Sequence, residues 1–405
     1  MLGVATSFSA LDRFLFGLLA PMLKRDLHLS DTSLGMMSGL AFASIYAVAS
    51  LPIARLADRG NRRTIISIGF LVWSLVTLIS GLVQTGTQMI AARFALGAAE
   101  ASASAPANSI IGDLFPLRHR ALALSIFAAM SPLGFLIGFP ILGWIAQTYN
   151  WRYAFLTAGL AGIAIAILFR LTVSEPARSH IGAGKPPPPR ANFGGALHRL
   201  LSTPRFLLAT GCLAFYMVNV SAMQTWLPSF LDRSHGLGVA ESGKWIGLLR
   251  GIAGTIGAII AGSATTWLAR FNSAWLYRVP AFCLLMMVPS EFVLLFARDA
   301  TTWQAGLGIE TFFGTALLGP LFAIIISAAP AEMRALSFAV ASIVGQLMGQ
   351  SLGPLGVGAV SDLIAPGMGP DSLRFALLIA TASAGIAGVL CVFANRPDRD
   401  DTSEF

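Results

Sequence analysis

The sequence predicts an all-α membrane protein with twelve transmembrane helices in two six-helix bundles. Three observations carry this prediction. Apolar residues make up 55% of the chain and charged residues only 11%, against roughly 25% charged in an ordinary soluble domain. The apolar residues fall into blocks of about 20, the helix length that crosses roughly 30 Å of hydrocarbon. After the sixth block the chain turns polar and proline-rich, and six more blocks follow.

The first bundle, 1–173, holds spans at about 3–23, 33–54, 64–83, 87–111, 121–145 and 153–173, each close to the membrane-crossing length. Span 1 contains Asp12-Arg13 and is not followed by a small-residue cleavage site, so it reads as a retained helix rather than a signal peptide. Its short lead-in leaves room for a native start upstream. Spans 2 and 3 are separated by Arg55, Arg59, Arg62 and Arg63, a basic cluster that marks a membrane boundary. Span 5 carries Gly134-x-x-x-Gly138, where small residues one turn apart allow close helix packing. Residues 174–204 form a linker. Within it, Lys185-Pro-Pro-Pro-Pro-Arg190 reads as a polyproline-like strut and 193–201 as a short amphipathic surface helix. The second bundle, 205–395, holds spans at about 206–230, 244–268, 279–297, 303–328, 335–358 and 373–394, with a tail at 396–405. The 41 glycines and 21 prolines are dispersed through the blocks. They would break helices in water, but membrane helices tolerate them.

The net charge of +8 does not imply nucleic acid, because the basic residues alternate by loop. One side carries the Arg55–Arg63 group, Arg118, Arg120, Arg178, Lys185, Arg190, Arg199, Arg205, Arg270, Arg278, Arg334, Arg396 and Arg399. The other carries Lys24, Arg25, Arg152, Arg233, Lys244, Arg298 and Arg374. The positive-inside rule places the richer side, with both termini, in the cytoplasm. Cys212, Cys283 and Cys391 read as small packing residues, without metal spacing or a disulfide framework.

Four ionisable residues interrupt apolar runs: Asp12 and Arg13 in span 1, Arg93 and Glu100 in span 4. A charge at membrane depth costs at least a few kcal/mol unless it has a partner or faces a cavity. Two acids and two arginines can neutralise one another around a polar cavity, with Glu100 as the proton-coupling acid and Asp12 in reserve. Arg93 and Glu100 lie seven residues apart, two turns, about 10 Å along one helix face. Direct pairing within span 4 is therefore strained, and each can pair with span 1 instead. A purely structural buried ion pair is the competing reading.

The loop Ala54-Arg-Leu-Ala-Asp58-Arg59-Gly-Asn-Arg62-Arg63 resembles the signature of the major facilitator superfamily, with Ala54 in place of its first glycine. There Asp58, Arg59, Arg62 and Arg63 would form a cytoplasmic gate; a stop-transfer cluster that only sets topology is the alternative. Arg93-x-x-x-Gly97 and Gly134-x-x-x-Gly138-Phe-Pro140-x-x-Gly143 resemble further motifs of that superfamily. Asp12-Arg13-Phe14, Glu100-Ala-Ser, Ser109-Ile-Ile-Gly-Asp113 and the stretch from Trp151-Arg152 to Glu175-Pro176 are similar to its spinster branch. The resemblance covers 12–176. It implies the major facilitator fold and proton-linked movement of lipid-like substrates, and the compact loops point to a bacterial relative in the inner membrane. Branches that carry small organic anions share the layout.

In the second half, Arg250 and Glu310 are intramembrane charges and candidate substrate-binding residues, with Tyr46, Phe215, Tyr216, Asn219 and Gln224 as candidate cavity lining. Glu291, near a span end, reads as interfacial. The five histidines lack metal-ligand spacing, and no phosphate-cradling glycine loop supports ATP-driven transport. Neither an enzyme, a cofactor nor a metal site is expected. The expected partners are the bilayer, protons and a lipid-like or small organic anion, and the chain is expected to act as a monomer. An amphiphilic anion is favoured, because three arginines cannot discharge while the facing acids can take protons. A channel or a non-transporting receptor is the alternative from another class.

Overall fold

The computed structural model describes residues 1–115, 117–176, 193–272, 274–329 and 333–395. Within them no strand occurs. The helices are α1 (Leu2–Asp26), α2 (Asp31–Ser38), α3 (Leu40–Arg59), α4 (Arg62–Ser80), α5 (Gly86–Glu100), α6 (Ser104–Leu114), α7 (Leu117–Thr148), α8 (Trp151–Thr172), α9 (Phe193–Leu201), α10 (Pro204–His235), α11 (Val239–Ala269), α12 (Trp275–Phe296), α13 (Ala300–Thr315), α14 (Leu318–Ser327), α15 (Arg334–Met368), α16 (Ser372–Ala376) and α17 (Leu378–Ala394). The proline run of the linker and the tail lie outside the described residues; the helix expected at 193–201 is α9.

Ten helical stretches among the described residues are long and apolar enough to cross a membrane. The last of them, Leu336–Ala394, is 59 residues long, enough for two crossings. Span 4 is delivered in two pieces, α5 and α6, parted by a turn at 101–103. The pattern is thus consistent with twelve crossings.

Polar side chains start many of these helices. Ser30, Asn61, Asn150 and Asp299 accept backbone N–H groups at the N-termini of α2, α4, α8 and α13, and Thr85 with Gln88 forms a capping box on α5. Such caps satisfy donors that have no partner within the helix. Span 2 breaks at Gly39, where an added Cβ would sit 2.2 Å from the Gln350 carbonyl oxygen. The chain there has room for backbone only.

The chain forms two compact units: 1–183 with 221–252 and 350–377, and 184–220 with 253–349 and 378–405. In the first unit, Phe70, Trp73, Ile66, Leu96, Ile110 and Phe169 form an apolar core between α4, α5, α6 and α8. Gly159 and Gly162 of α8 let it approach α4: a Cβ at Gly159 would meet Leu78 at 2.5 Å. Such tight fits resist even one added carbon, at about 1–3 kcal/mol.

In the second unit, Phe206, Leu213, Leu284, Met287, Leu317 and Ile325 form the core, and all three cysteines are buried in it. Here the structure corrects one expectation. Glu291 is not interfacial. It is fully buried, and Asn219 Nδ2 donates to its Oε1 at 2.7 Å and to the Ala380 carbonyl at 2.9 Å. The amide fork ties α10, α12 and α17 together. Position near a span end misled because neighbouring helices, not water, cover this residue.

Candidate functional site

The four intramembrane charges of the first half converge in the first unit. Arg13, on α1, donates from Nε at 3.1 Å and from Nη2 at 2.7 Å to Glu100 Oε2. Its guanidinium also lies 5.0 Å from the Phe42 ring and 5.6 Å from the Tyr46 ring, within cation–π range. Glu100 is the last residue of α5, and the turn at 101–103 begins directly after it. Asp12, one residue before Arg13, points elsewhere: its Oδ2 accepts from Thr77 Oγ1 of α4 at 2.7 Å. Successive helix residues lie about 100° apart, so adjacent charges on α1 serve different neighbours. Arg93 takes no carboxylate within ion-pair distance among the described residues. Its guanidinium stacks 4.5 Å from Phe16 and 5.9 Å from Phe155. Of the two pairings open to span 4, only Glu100 with span 1 is a direct contact.

Arg13 is also where this charge cluster meets open space. With Phe14, Phe16, Gly17, Ser38, Ser221, Thr225, Gln350 and Pro354 it lines a narrow recess of about 10 Å³, room for about one water. The Glu100 side chain is sealed, whereas a fifth of the Arg13 side chain is exposed. One guanidinium therefore links a buried carboxylate to an open recess.

Two polar hubs flank this centre along the chain. The first is Arg62, only 3% exposed. It donates to Glu175 Oε1 at 2.8 Å, Ser109 Oγ at 2.8 Å and Asp113 Oδ2 at 2.5 Å. Glu175 Oε2 accepts the Arg63 backbone N–H at 2.7 Å, and the Arg63 guanidinium donates to the Arg170 carbonyl. The side chains of Asp58 and Arg59, expected in a gate here, lie outside the described residues.

The second hub is Asp31, 2% exposed. Its carboxylate accepts from Lys24 at 2.5 Å, from both terminal nitrogens of Arg233 at 2.7 and 2.5 Å, and from Ser361 Oγ at 2.7 Å. Beside it, Asp362 accepts the backbone N–H groups of Asp31 at 3.0 Å and Thr32 at 2.7 Å, and the Thr32 hydroxyl at 2.7 Å. An anion at the first N–H groups of α2 satisfies them and suits the helix dipole. Arg25 reaches Asp232 at 2.6 Å. Trp226 Nε1 donates to the Pro354 carbonyl at 2.9 Å.

The remaining candidates are dispersed. Tyr216 donates to the Gly314 carbonyl at 2.7 Å inside the second core, and Asn219 holds Glu291. Phe215 packs against that same core. Thr311 Oγ1 donates to Glu310 Oε2 at 3.0 Å. Arg250 belongs to the first unit and Glu310 to the second. Gln224 is half-buried on α10. Sequence reasoning missed Ser221, Thr225 and Gln350 on the recess, and Asp31, Arg233, Ser361 and Asp362 in the second hub. A hydroxyl in an apolar run gives no signal of which way it faces. Lys24 and Arg233 were visible only as loop charges.

The comparisons with known proteins fit this arrangement. The family model of the Major Facilitator Superfamily matches residues 2–354. The chain belongs to the major facilitator superfamily. An "MFS-type efflux pump" of Mycolicibacterium smegmatis is 29% identical over 96% of this chain and 90% of its own length. A "Probable galactarate/D-glucarate transporter" of Escherichia coli is 25% identical over 89% and 85%. The "Sphingosine-1-phosphate transporter SPNS2" of Danio rerio is 27% identical over 92% and 76%. Among solved structures, a bacterial homologue of the human lysosomal transporter spinster matches with a TM-score of 0.83 at 24% identity, over 98% of this chain and 95% of that one, a likeness of fold. This superfamily member is a multi-pass membrane transporter, related to spinster proteins and to sugar-acid transporters, and not an enzyme.

Proposed function

We propose that this transporter moves an anionic amphiphile, of the lysophospholipid or sphingoid-phosphate type, by proton-coupled alternating access between two six-helix halves. In this reading it is a monomer in a bacterial inner membrane with both termini in the cytoplasm, where the Arg62 end also lies. The observation that carries the reading is the double engagement of Arg13, which holds Glu100 and borders the recess. An arginine cannot discharge, so an anion entering the recess competes with Glu100 for one fixed positive charge. A carboxylate that loses its arginine partner holds a proton more readily than one that keeps it. Substrate binding and protonation of Glu100 are then two sides of one exchange. The proton that neutralises Glu100 offsets the negative charge of the substrate, and the loaded site changes little in net charge. Arg93, stacked on two phenyl rings, keeps the surroundings positive.

The test is uptake into proteoliposomes. Glu100→Gln mimics the protonated acid, so it is expected to abolish uptake driven by a pH gradient while substrate exchange without a gradient continues. Unchanged gradient-driven uptake in that variant removes Glu100 as the coupling acid. A second reading, transport of a small organic anion, is favoured by the sugar-acid relatives. Radiolabelled lysolipids and sugar acids offered side by side separate the two; saturable uptake of the sugar acid alone selects the second.

A further inference from the structure

Residues 242–290 contain no Asp or Glu, yet two arginines, Arg270 and Arg278, flank the corner between α11 and α12. Both side chains are exposed. Arg278 lies 5.6 Å from the Trp275 ring. Among the described residues neither guanidinium forms an ion pair or a hydrogen bond. The corner after span 2 is built on the same frame. Leu56-Ala-Asp-Arg-Gly-Asn61 there becomes Leu268-Ala-Arg-Phe-Asn272 here, with the acid deleted. Beside the first corner, Asp113 and Glu175 neutralise Arg62. Beside the second, the cations face outward from the chain.

Tryptophans fix the depth of this second corner. On α11, Trp245 and Trp267 lie 22 residues apart, about 33 Å along a helix, which matches roughly 30 Å of hydrocarbon. α12 is itself 22 residues long and opens with Trp275. Tryptophan favours the level of the lipid head groups. Trp267 and Phe271 lie four residues apart, on one face, and are 58% and 72% exposed. Their rings meet edge to face at 5.1 Å. Asn272 shapes the turn: its Oδ1 accepts the Ala274 N–H at 2.8 Å and its carbonyl accepts the Trp275 N–H at 3.1 Å. A folded corner thus sets an aromatic pair and two arginines at the head-group level.

We propose that the α11–α12 corner binds an anionic phospholipid, whose head group Arg270 and Arg278 neutralise and whose glycerol and upper acyl chains cover Trp267 and Phe271. A guanidinium offers a fixed fork of N–H donors that matches phosphate oxygens, and each such bond is charge-assisted. A zwitterionic lipid carries the same phosphate but brings its own cation, so it leaves the charge of the corner uncancelled. A soluble phosphate ester has no tail for the exposed rings. The site stands whichever substrate the transporter moves.

The experiment titrates the purified full chain, in uncharged detergent micelles, with dioleoyl phosphatidylglycerol or dioleoyl phosphatidylcholine. Bound lipid is counted by mass spectrometry of the intact protein. The parent should hold phosphatidylglycerol at least about fivefold more tightly than phosphatidylcholine. Arg270→Gln/Arg278→Gln should weaken phosphatidylglycerol about tenfold or more and phosphatidylcholine less than about twofold. Both arginines are exposed, so this variant should unfold at the parent's temperature in lipid-free detergent. Trp267→Ala/Phe271→Ala should weaken both lipids. Lys244→Gln/Arg298→Gln removes the same charge at the opposite ends of the same two helices, and it should leave phosphatidylglycerol within about twofold. Equal binding of the two lipids by the parent, or unchanged phosphatidylglycerol binding in the arginine variant, overturns the site. So does an equal loss in the Lys244/Arg298 variant, which would leave net charge alone at work. Displacement of phosphatidylglycerol by glycerol 3-phosphate would make the corner a site for soluble phosphates and overturn the lipid assignment.

Discussion

The Arg62 hub and the Asp31 hub have the same ingredients and different reach. Both place one charged group, 3% or 2% exposed, among several partners. Every partner of Arg62 comes from residues 109–176, within the first 183 residues of the chain. Asp31 instead draws Arg233 and Ser361, more than 200 residues away, onto the start of α2, and Asp362 caps it from the same distant segment. Both hubs lie within the first compact unit; the first joins segments before residue 184, and the second joins the start of α2 to segments after residue 220. If the two six-helix halves of the proposed transport cycle rock, the Arg62 hub travels intact and the Asp31 hub comes apart. Position in the connectivity, not chemistry, separates a rivet from a latch.

The sharpest way to break this contrast is Arg62→Met. Removing the cation strands Asp113 and Glu175 together, and breaking a buried pair costs about 3–5 kcal/mol, toward the lower end because both acids keep some water contact. Thermal unfolding in detergent should show a large loss of stability, or the protein should fail to accumulate. Spin-label distances between the halves should not shift in whatever folds. Asp31→Asn comes next. It leaves Lys24 and Arg233 without their anion, but Lys24 is a third exposed, so about 2 kcal/mol is expected. That loss should appear as a changed ratio of open to closed states, read by labelling Ser38→Cys with a membrane-impermeant reagent from the Asp31 end. Labelling equal to the parent would make this hub another rivet.

Asp362→Asn should shift the same ratio in the same direction by about 1 kcal/mol, the value of a helix cap with a favourable dipole contact. Arg25→Gln is the smallest. Its side chain is 71% exposed, so the pair with Asp232 contributes no more than about 0.5 kcal/mol and high salt should abolish even that. A reversed order among these three would mean that exposure does not govern the latch.

The same contrast explains what the sequence could tell. Asp12, Arg13, Arg93 and Glu100 stood out because charge within an apolar run is costly, and the structure gathers all four in one unit. The partner of Arg93 could not be read, since a stack on Phe16 and Phe155 depends on where two ordinary phenylalanines point. The turn after Glu100 carries no proline or glycine, so span 4 read as one helix. Asp31 follows a good cap at Ser30 and looks like the polar start of any helix; only folding brings Arg233 to it. Local chemistry was legible, whereas contacts across 200 residues were not.

The latch region also has an unusual absence of upholstery. A Cβ on Gly35 would fall 2.3 Å from the Pro354 carbonyl oxygen, one on Gly39 2.2 Å from that of Gln350, and one on Gly358 2.3 Å from that of Asp31. Here bare main chains lie against each other, and the first atom each added Cβ would meet is a backbone oxygen, which cannot turn aside as a side chain can. Alanine at any of the three keeps every charge and every donor, yet adds a doorstop one methyl thick. Such variants would separate shape from electrostatics in the closing step. They would also offer crystallographers a chemically silent means of propping the transporter in its other posture.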